Sequence, residues 1–524
     1  MSELLNLTMG QLIEEAARKF PDRQAVKYTD RPYERTWREF DEECDRYAKG
    51  LMAFGVQKGD HLAIWAANIP EWLIALFAGA KIGAVIVTVN TDYKVFELEY
   101  LLRQSDTKFL VMMNEYKGTS YVDIINQLFP ELKDNPPGEL HNAKLPELRR
   151  IFYAGANTPA GMTNFKEIEK AGEGVSDEAL AERKSSVTAQ DVVNMQYTSG
   201  TTGFPKGVML TNYNVVNNGN AIGDCMKFTE EDKLCIPVPF FHCFGLTLAI
   251  TAAATHATAM VPIEYYRPTA VMQAIQDEEC TAVHGVPTMF IAMLDHPDFD
   301  KYRFPRLRTG IMAGSPCPVK VMQQVADVMG AREMTIVFGQ TESSPGCTQT
   351  TTDDSLEIRV STVGRVLPGV EAKITDPETG KELGPHTQGE FCTRGYHVMK
   401  GYYKITGRIK DMIIRGGENI YPKEIEEFLY TNPKVRDVQV VGVPSKVYGE
   451  EILACVILKD GETATEEEIR ESVRASMSRH KVPSYVAFVE SFPMTASGKI
   501  QKYKLREWAI DKYNLHEDAN IETA

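Results

Sequence analysis

The residues Tyr197-Thr-Ser-Gly-Thr-Thr-Gly-Phe-Pro-Lys-Gly207 are those best equipped for chemistry. Gly200 and Gly203 let the backbone turn tightly and present N–H groups inward. Thr198, Ser199, Thr201 and Thr202 add hydroxyl donors, and Lys206 adds a fixed positive charge. Such a loop suits a triphosphate, whose charge needs many donors at once. It is not a Walker A loop, because four residues separate Gly200 from Pro205 and no Gly-Lys-Ser/Thr follows. That argues against a P-loop ATPase cleaving the γ-phosphate. The bland alternative is a solvated polar loop, which a run of six Gly, Ser and Thr residues ending in Pro-Lys-Gly disfavours.

The elements around this loop alternate. Thr8-x-x-Gln11 and Thr36-x-x-Glu39 read as capping boxes opening two helices, with Leu12, Ile13, Ala16, Ala17 and Phe20 on one face of the first and Phe40, Tyr47, Leu51 and Phe54 on the second. The stretch 61–66 reads as a strand, 70–82 as a helix and 85–89 as a strand, a β-α-β unit with parallel pairing. Further strands are predicted near 108–113, 192–198, 233–239, 257–263, 281–286, 308–313 and 333–338. The fold class is therefore α/β, with parallel sheets flanked by helices. Between 371 and 393 short alternating runs broken by Asp376-Pro377, Gly380 and Gly384 predict antiparallel hairpins. Beyond about 408 a small α+β unit follows, with helices at 422–430 and 466–477 and strands near 437–443, 452–458 and 485–490. The predicted division is 1–404, a hinge at 405–410, and 411–524.

Composition narrows the class. With 57 Lys and Arg against 72 Asp and Glu the net charge is −15, which disfavours nucleic acid and anionic membranes as partners. The nine cysteines are scattered and include no C-x-x-C pair, against a disulfide framework or a structural zinc site and in favour of a cytoplasmic location. No secretory leader is visible at 1–12. The stretch 240–263 carries no Asp, Glu, Lys or Arg and is long enough to span a bilayer. His242, His256, Pro262 and the missing basic flanks make a buried helix followed by a buried strand the better reading.

Other motifs follow the loop in order: Ala313-Gly-Ser-Pro316, Phe338-Gly-Gln-Thr-Glu342, Gly407-Arg-Ile-Lys-Asp411, Gly416-Gly-Glu-Asn-Ile-Tyr-Pro422 and Pro493-Met-Thr-Ala-Ser-Gly-Lys-Ile500. Together with the loop they resemble the adenylate-forming superfamily over about residues 8–515, most of all its medium- and longer-chain fatty acyl-CoA synthetases. The resemblance implies ATP-dependent conversion of a carboxylate to acyl-AMP, then transfer to coenzyme A, with Mg²⁺ assisting. A carrier-loading acyl-AMP ligase and a non-catalytic nucleotide-binding protein are the alternatives.

By the same resemblance, Gly314, Ser315, Phe338, Gly339, Gln340 and Thr341 join the loop in binding ATP. Glu342 offers a carboxylate oxygen to Mg²⁺, as a hard cation prefers; otherwise it is a surface glutamate. Phe338 stacks on adenine or is a core aromatic at a strand end. Arg408 reaches ribose or phosphate, or makes a surface salt bridge. Lys499 offsets charge as one anion attacks another, or is a solvated lysine. His242, in Pro239-Phe-Phe-His-Cys-Phe-Gly245, is the gate of an acyl pocket with Cys243, Phe244 and Gly245, or a satisfied core histidine. No acid lies between Lys233 and Glu264, so a substrate with an α-amine finds no counter-ion there. Lys410 is the hinge, and Gly416 and Gly417 flank the coenzyme A tunnel. A homodimer is compatible with all of this.

The chain departs from the superfamily at one place. Lys404-Ile405-Thr406 joins Gly401-Tyr-Tyr to Gly407-Arg408 directly, where the superfamily carries a few dozen more residues with a Thr-Gly-Asp element that binds the ribose. No Thr-Gly-Asp occurs in the chain. Adenylate chemistry predicts AMP and pyrophosphate as products of ATP turnover, read by chromatography of the nucleotides. ADP as the main product would remove the assignment.

Overall fold

The structure is a computed structural model and describes residues 4–198, 205–314, 317–377, 379–400, 412–493 and 500–516. Both capping boxes form: Thr8 and Gln11 open helix Met9–Lys19, and Thr36 and Glu39 open helix Trp37–Ala53, each through reciprocal side-chain and backbone bonds. Leu12, Ile13 and Ala16 of the first face inward, as do Phe40, Tyr47 and Leu51 of the second.

The parallel strands divide into two seven-stranded sheets. One runs Glu333–Thr335, Thr309–Met312, Ala282–Gly285, Lys233–Ile236, Ala259–Pro262, Gln24–Lys27, Glu34–Thr36. The other runs Lys206–Thr211, Val192–Thr198, Val85–Thr88, His61–Trp65, Phe109–Met112, Arg150–Tyr153, Thr163–Asn164. Pairing is parallel throughout except at one edge of each, where 24–27 meets 34–36 and 192–198 meets 206–211 in antiparallel hairpins. Alternating periodicity finds such strands but is silent on which sheet each joins, since that is decided by crossover packing.

The predicted helix followed by a strand at 240–263 is present, in a modified form. Phe244–Thr251 is a π-helix, continued by the α-helical turn Ala252–Thr255 and then by strand Ala259–Pro262. Thr251 Oγ1 donates to the Leu246 carbonyl five residues back at 2.9 Å, following the wider winding. Among the described residues no helix is long and apolar enough to cross a membrane. All nine cysteines are free. Of the hairpins expected at 371–393, one is the antiparallel pair Val370–Thr375 with Glu390–Gly395, and among the described residues the connection adds an antiparallel bridge, Thr375 to Glu382, beside which Leu383 N–H donates to the Ile374 carbonyl at 2.8 Å.

The C-terminal unit forms a five-stranded sheet from Glu418–Ile420, Ile413–Arg415, Gly449–Leu458 and Val435–Ser445, with Tyr485–Phe488 parallel to 449–458. Helices Pro422–Tyr430 and Glu466–Ser476 cover it where the sequence predicts. The proposed hinge at 405–410 lies outside the described residues.

Helix Pro70–Lys81 shows how a charge is tolerated in the core. It is buried almost throughout, and the Lys81 side chain is fully enclosed, donating to Asp41 at 2.6 Å and reaching Asp45. Those carboxylates hold the Lys81 ammonium in its charged state against a burial that opposes it. Removing the lysine strips Asp41 of its ion pair, while Asp45 and Glu14 keep Lys184 as a counter-ion. Lys81→Ala is expected to lower stability by about 3 kcal/mol, allowing for the partly solvated aspartates, read as a fall in the urea midpoint. An unchanged midpoint would show that the pair contributes nothing.

Candidate functional site

In the first sheet, strands 333–335, 309–312, 282–285 and 233–236 are neighbours and run the same way. The segments that leave their carboxyl ends are therefore brought together: Val337–Gly339 and the turn Thr341–Ser343, then Gly314, then Val286, then 237–245. The carboxyl edge of a parallel sheet is where such folds place ligands. Gly314, Phe338, Gly339 and Gln340 are exposed, Thr341 and Glu342 half-buried.

The hairpin of the other sheet supplies the base of the glycine-rich loop. Thr198 pairs with Lys206 across it, so the loop starts and ends at one point. Ser199, Gly200, Thr201, Thr202 and Gly203 lie outside the described residues, as do Ser315, Arg408, Lys410 and Lys499. Strand Lys206–Thr211 lies against the turn Thr341–Ser343, which places the hairpin beside Glu342. Residues 399 and 400 bind the two together: Met399 N–H donates to the Glu342 carbonyl at 2.9 Å and Lys400 N–H to that of Met209 at 3.0 Å.

The Glu342 carboxylate has no hydrogen bond or ion pair among the described residues, and its charge raises the pKa of Tyr421, after burial as the larger cause. A half-buried carboxylate with free oxygens beside a phosphate-loop hairpin fits a hard divalent cation such as Mg²⁺. The backbone that carries it is tightly seated. A Cβ at Gly339 would lie 1.8 Å from the Pro345 carbonyl oxygen.

His242 is exposed. Its place is set by Asn68, which is buried and accepts from Phe240 N–H at 2.8 Å while donating to the Val238 and Ile263 carbonyls. Gly245 allows the turn that follows, since a Cβ there would meet the Pro239 carbonyl oxygen at 2.1 Å. Phe244 N–H donates to His242 Nδ1 at 3.1 Å, and Cys243 Sγ lies 3.7 Å from both His242 Nδ1 and Thr341 Oγ1. Burial lowers the His242 pKa, whereas a Cys243 thiolate and then Glu418 raise it, the net being a rise to about 9. That rise needs an ionised sulfur. Beside a neutral thiol, Nδ1 serves as acceptor for Phe244 and the ring is neutral with its proton on Nε2. The satisfied core histidine is instead His284, whose Nε2 bonds the Leu248 carbonyl of the π-helix at 2.9 Å and whose Nδ1 accepts from Ile311 N–H. Burial takes its pKa down to about 4, so it stays neutral.

The C-terminal unit closes the arrangement. Gly416 and Gly417 have φ of +59° and +89° and form the two-residue turn between Ile413–Arg415 and Glu418–Ile420, a geometry glycine alone adopts without strain. A Cβ on Gly417 would lie 3.6 Å from the Gly314 carbonyl oxygen and 3.7 Å from Val286 Cγ1. This hairpin thus covers the segment containing Gly314.

The sequence reading missed the asparagines of helix Asn212–Met226. Asn212, Asn214, Asn217 and Asn218 are all buried. Asn218 accepts from Gly346 N–H at 2.9 Å and donates to its carbonyl at 2.8 Å; Asn217 does the same with Leu5. Asn214 donates to the Val398 and Tyr396 carbonyls, and Asn212 accepts from Met9 N–H. The available signal was the run Asn-Tyr-Asn-Val-Val-Asn-Asn, a poor helix sequence in which buried amides must each have work.

The α/β fold and the family it matches are those of an adenylate-forming enzyme, of the AMP-forming acid–thiol ligase class. The chain belongs to the AMP-binding enzyme family: the model of that family matches residues 13–403, and that of the AMP-binding enzyme C-terminal domain matches 424–499. A Bacillus subtilis protein named as an acyl-CoA synthetase, YngI, is 52% identical over 545 positions, covering 98% of this chain and 99% of that protein. Those 545 positions exceed the 524 residues of the chain, so at least 21 of them have no counterpart here. The mitochondrial medium-chain acyl-CoA ligase ACSF2 of Danio rerio is 38% identical over 537 positions, covering 96% of this chain and 88% of that protein. Among solved structures, ATP-bound MatB of Rhodopseudomonas palustris is similar with a TM-score of 0.63 at 27% identity, covering 97% of this chain and all of that one.

The seating of the Glu342 turn yields a test. Gly339→Ala must push the turn away from Pro345, and ATP affinity measured by calorimetry with Mg²⁺ is expected to fall about tenfold or more, a cost of roughly 1.4 kcal/mol. Unaltered affinity would separate this turn from nucleotide binding.

Proposed function

We propose that the chain activates a medium- to long-chain fatty acid with ATP, forming acyl-AMP and pyrophosphate, and passes the acyl group to coenzyme A. The observation that carries the acyl reading is the uncharged stretch from Phe240 to Ile263, which enters a wholly buried π-helix with accessible His242 at its start. An α-ammonium there would be left without a counter-ion, at a cost that an alkyl chain avoids. The printed names of YngI and ACSF2 support the same reading.

In this reading Thr198, Ser199, Gly200, Thr201, Thr202, Gly203 and Lys206 hold the phosphates, while Gly314, Ser315 and Phe338 to Thr341 receive the nucleoside. Glu342 holds Mg²⁺, which when bound supplies positive charge to the phosphates. His242, Cys243, Phe244 and Gly245 line the entry of the acyl chain. Lys499 and Arg408 serve the adenylation step from one orientation of the C-terminal unit, 411–524. Gly416 and Gly417 serve the thioester step from another, with Lys410 in the hinge at 405–410. No protein nucleophile is needed: the carboxylate attacks the α-phosphorus, pyrophosphate leaves, and the coenzyme A sulfur then displaces AMP from the acyl carbonyl. The protein contributes positioning and charge.

The joint at Lys404–Ile405 limits the rate in this reading. A ribose without its aspartate loses two charge-assisted hydrogen bonds of roughly 1.5–3 kcal/mol each, hence about 10²–10⁴-fold in kcat/KM for ATP. The test is incubation with ATP, Mg²⁺, coenzyme A and a panel of fatty acids, with and without a superfamily-type segment inserted between Lys404 and Ile405. Weak acyl-CoA formation, raised by that factor on insertion, is expected. An ordinary KM for ATP in the unaltered chain would show that another group holds the ribose. Acylation of a carrier protein alone would make the chain a carrier ligase, and nucleotide binding without turnover in both forms would make it a non-catalytic binder.

A further inference from the structure

The C-terminal unit is tied to residues 92–97 by a charge cluster closed to water. Glu97, at the start of helix Val95–Gln104, has 1% of its side chain exposed. It accepts from Lys481 Nζ at 2.6 Å and from Ser478 Oγ at 2.9 Å. Lys481, 3% exposed, donates also to Glu424 Oε1 at 2.6 Å, while the other Glu424 oxygen is buried without a partner among the described residues. Glu97 belongs to the N-terminal part of the chain, Lys481 and Glu424 to the C-terminal unit. Lys94 Nζ donates to the Arg474 carbonyl at 2.6 Å, and Phe96 packs edge-to-face on Phe428 at 5.8 Å, both across the same junction.

A buried charge is stable only with its partner in place. The surface pairs within helix Glu466–Ser476, such as Arg470 with Glu466, travel with one unit and are indifferent to its orientation. The Glu97–Lys481 bond exists only when the two units meet as they do here. In this arrangement Gly417 lies against Gly314. Turning the unit away would return Glu97 to water and leave Lys481 with Glu424 alone.

We propose that Glu97, Lys481 and Glu424 form an orientation-specific latch, positioning the C-terminal unit so that the Gly416–Gly417 turn covers the site, and that the latch opens for the other orientation. Its effect on the half-reactions rests on the two-step reading given above; its existence does not.

The experiment uses the full chain and the variants Glu97→Gln, Lys481→Met and both together. Hydrogen exchange reads the latch directly. Each single variant is expected to speed exchange about tenfold or more at the amides of 95–98 and 474–482, while strands 435–445 and 449–458 keep their protection. The double variant, which removes the orphaned charge, is expected to fall short of the combined single effects. Unchanged exchange at the junction overturns the proposal. So does acceleration throughout the C-terminal sheet, which would make these residues part of its folding core. In single-turnover assays Glu97→Gln is expected to slow thioester formation from added acyl-AMP about tenfold while leaving acyl-AMP formation as fast or faster. Equal slowing of both steps overturns the positioning role. A chain without turnover counts against the proposed reaction, and exchange alone then decides the latch.

Discussion

Everything at the site depends on the buried amides of helix Asn212–Met226. A side-chain amide can donate and accept at once, so it can stand in for a neighbouring strand where none exists. Asn218 does this for Gly346, just beyond the Glu342 turn, and Asn214 donates to the carbonyls of Tyr396 and Val398 while accepting from Thr211 N–H. The helix follows directly from the hairpin that bounds the glycine-rich loop. The segments beside the loop and beside Glu342 therefore share one rigid neighbour. Hydrophobic packing alone would leave their relative position free to slide, whereas the directional hydrogen bonds of these amides fix it in direction and distance.

Much of the fold was legible because local rules wrote it. The capping boxes at Thr8 and Thr36, the proline-started helix Pro422–Tyr430 and strand Val192–Thr198 appear where the residue pattern places them. The division of parallel strands between two sheets was not legible, because hydrophobic alternation looks the same in either. Nor was the π-helix: its apolar run 244–251 suits any helix buried on all sides. Of the candidate site, Thr198 and Lys206 were singled out by the loop's residue types, and Gly314, Phe338 to Glu342, His242 to Gly245 and Gly416–Gly417 by the resemblance of their motifs. Asn68, Asn218, His284 and Glu97 were not, because each acts on a partner more than a hundred residues away or, for His284, through a strand two elements removed.

The two enclosed lysines show that one device can serve two ends. Lys81 sits between Asp41 and Asp45, and Lys481 between Glu97 and Glu424. In each, one enclosed ammonium faces two or more carboxylates: Lys81 also lies 3.5 Å from Glu14, and its acids are partly solvated, whereas Glu97 and Glu424 are not. The first lies wholly within the N-terminal part and can only add to its stability. The second spans a junction, so the same electrostatics becomes information about geometry. A strongly acidic chain can maintain both because its surplus carboxylates need cations wherever they are buried.

The placement of strand Gln24–Lys27 has a consequence for synthesis. It is bound into the first sheet through Val26 and Met260, and helix Met9–Lys19 just before it is anchored by Asn212. At translation speeds of roughly 5–20 residues per second, about 10–50 seconds separate the emergence of residue 26 from that of residue 260. For that interval the first helix can pack on helices 37–53 and 70–81 and the strand can pair with 34–36, but the strand's parallel edge has no partner. The second sheet, through strand 206–211, is complete before the first can begin to close on its N-terminal edge. The exposed parallel edge of strand Gln24–Lys27 is therefore what the nascent chain must keep from wrong pairing during this interval.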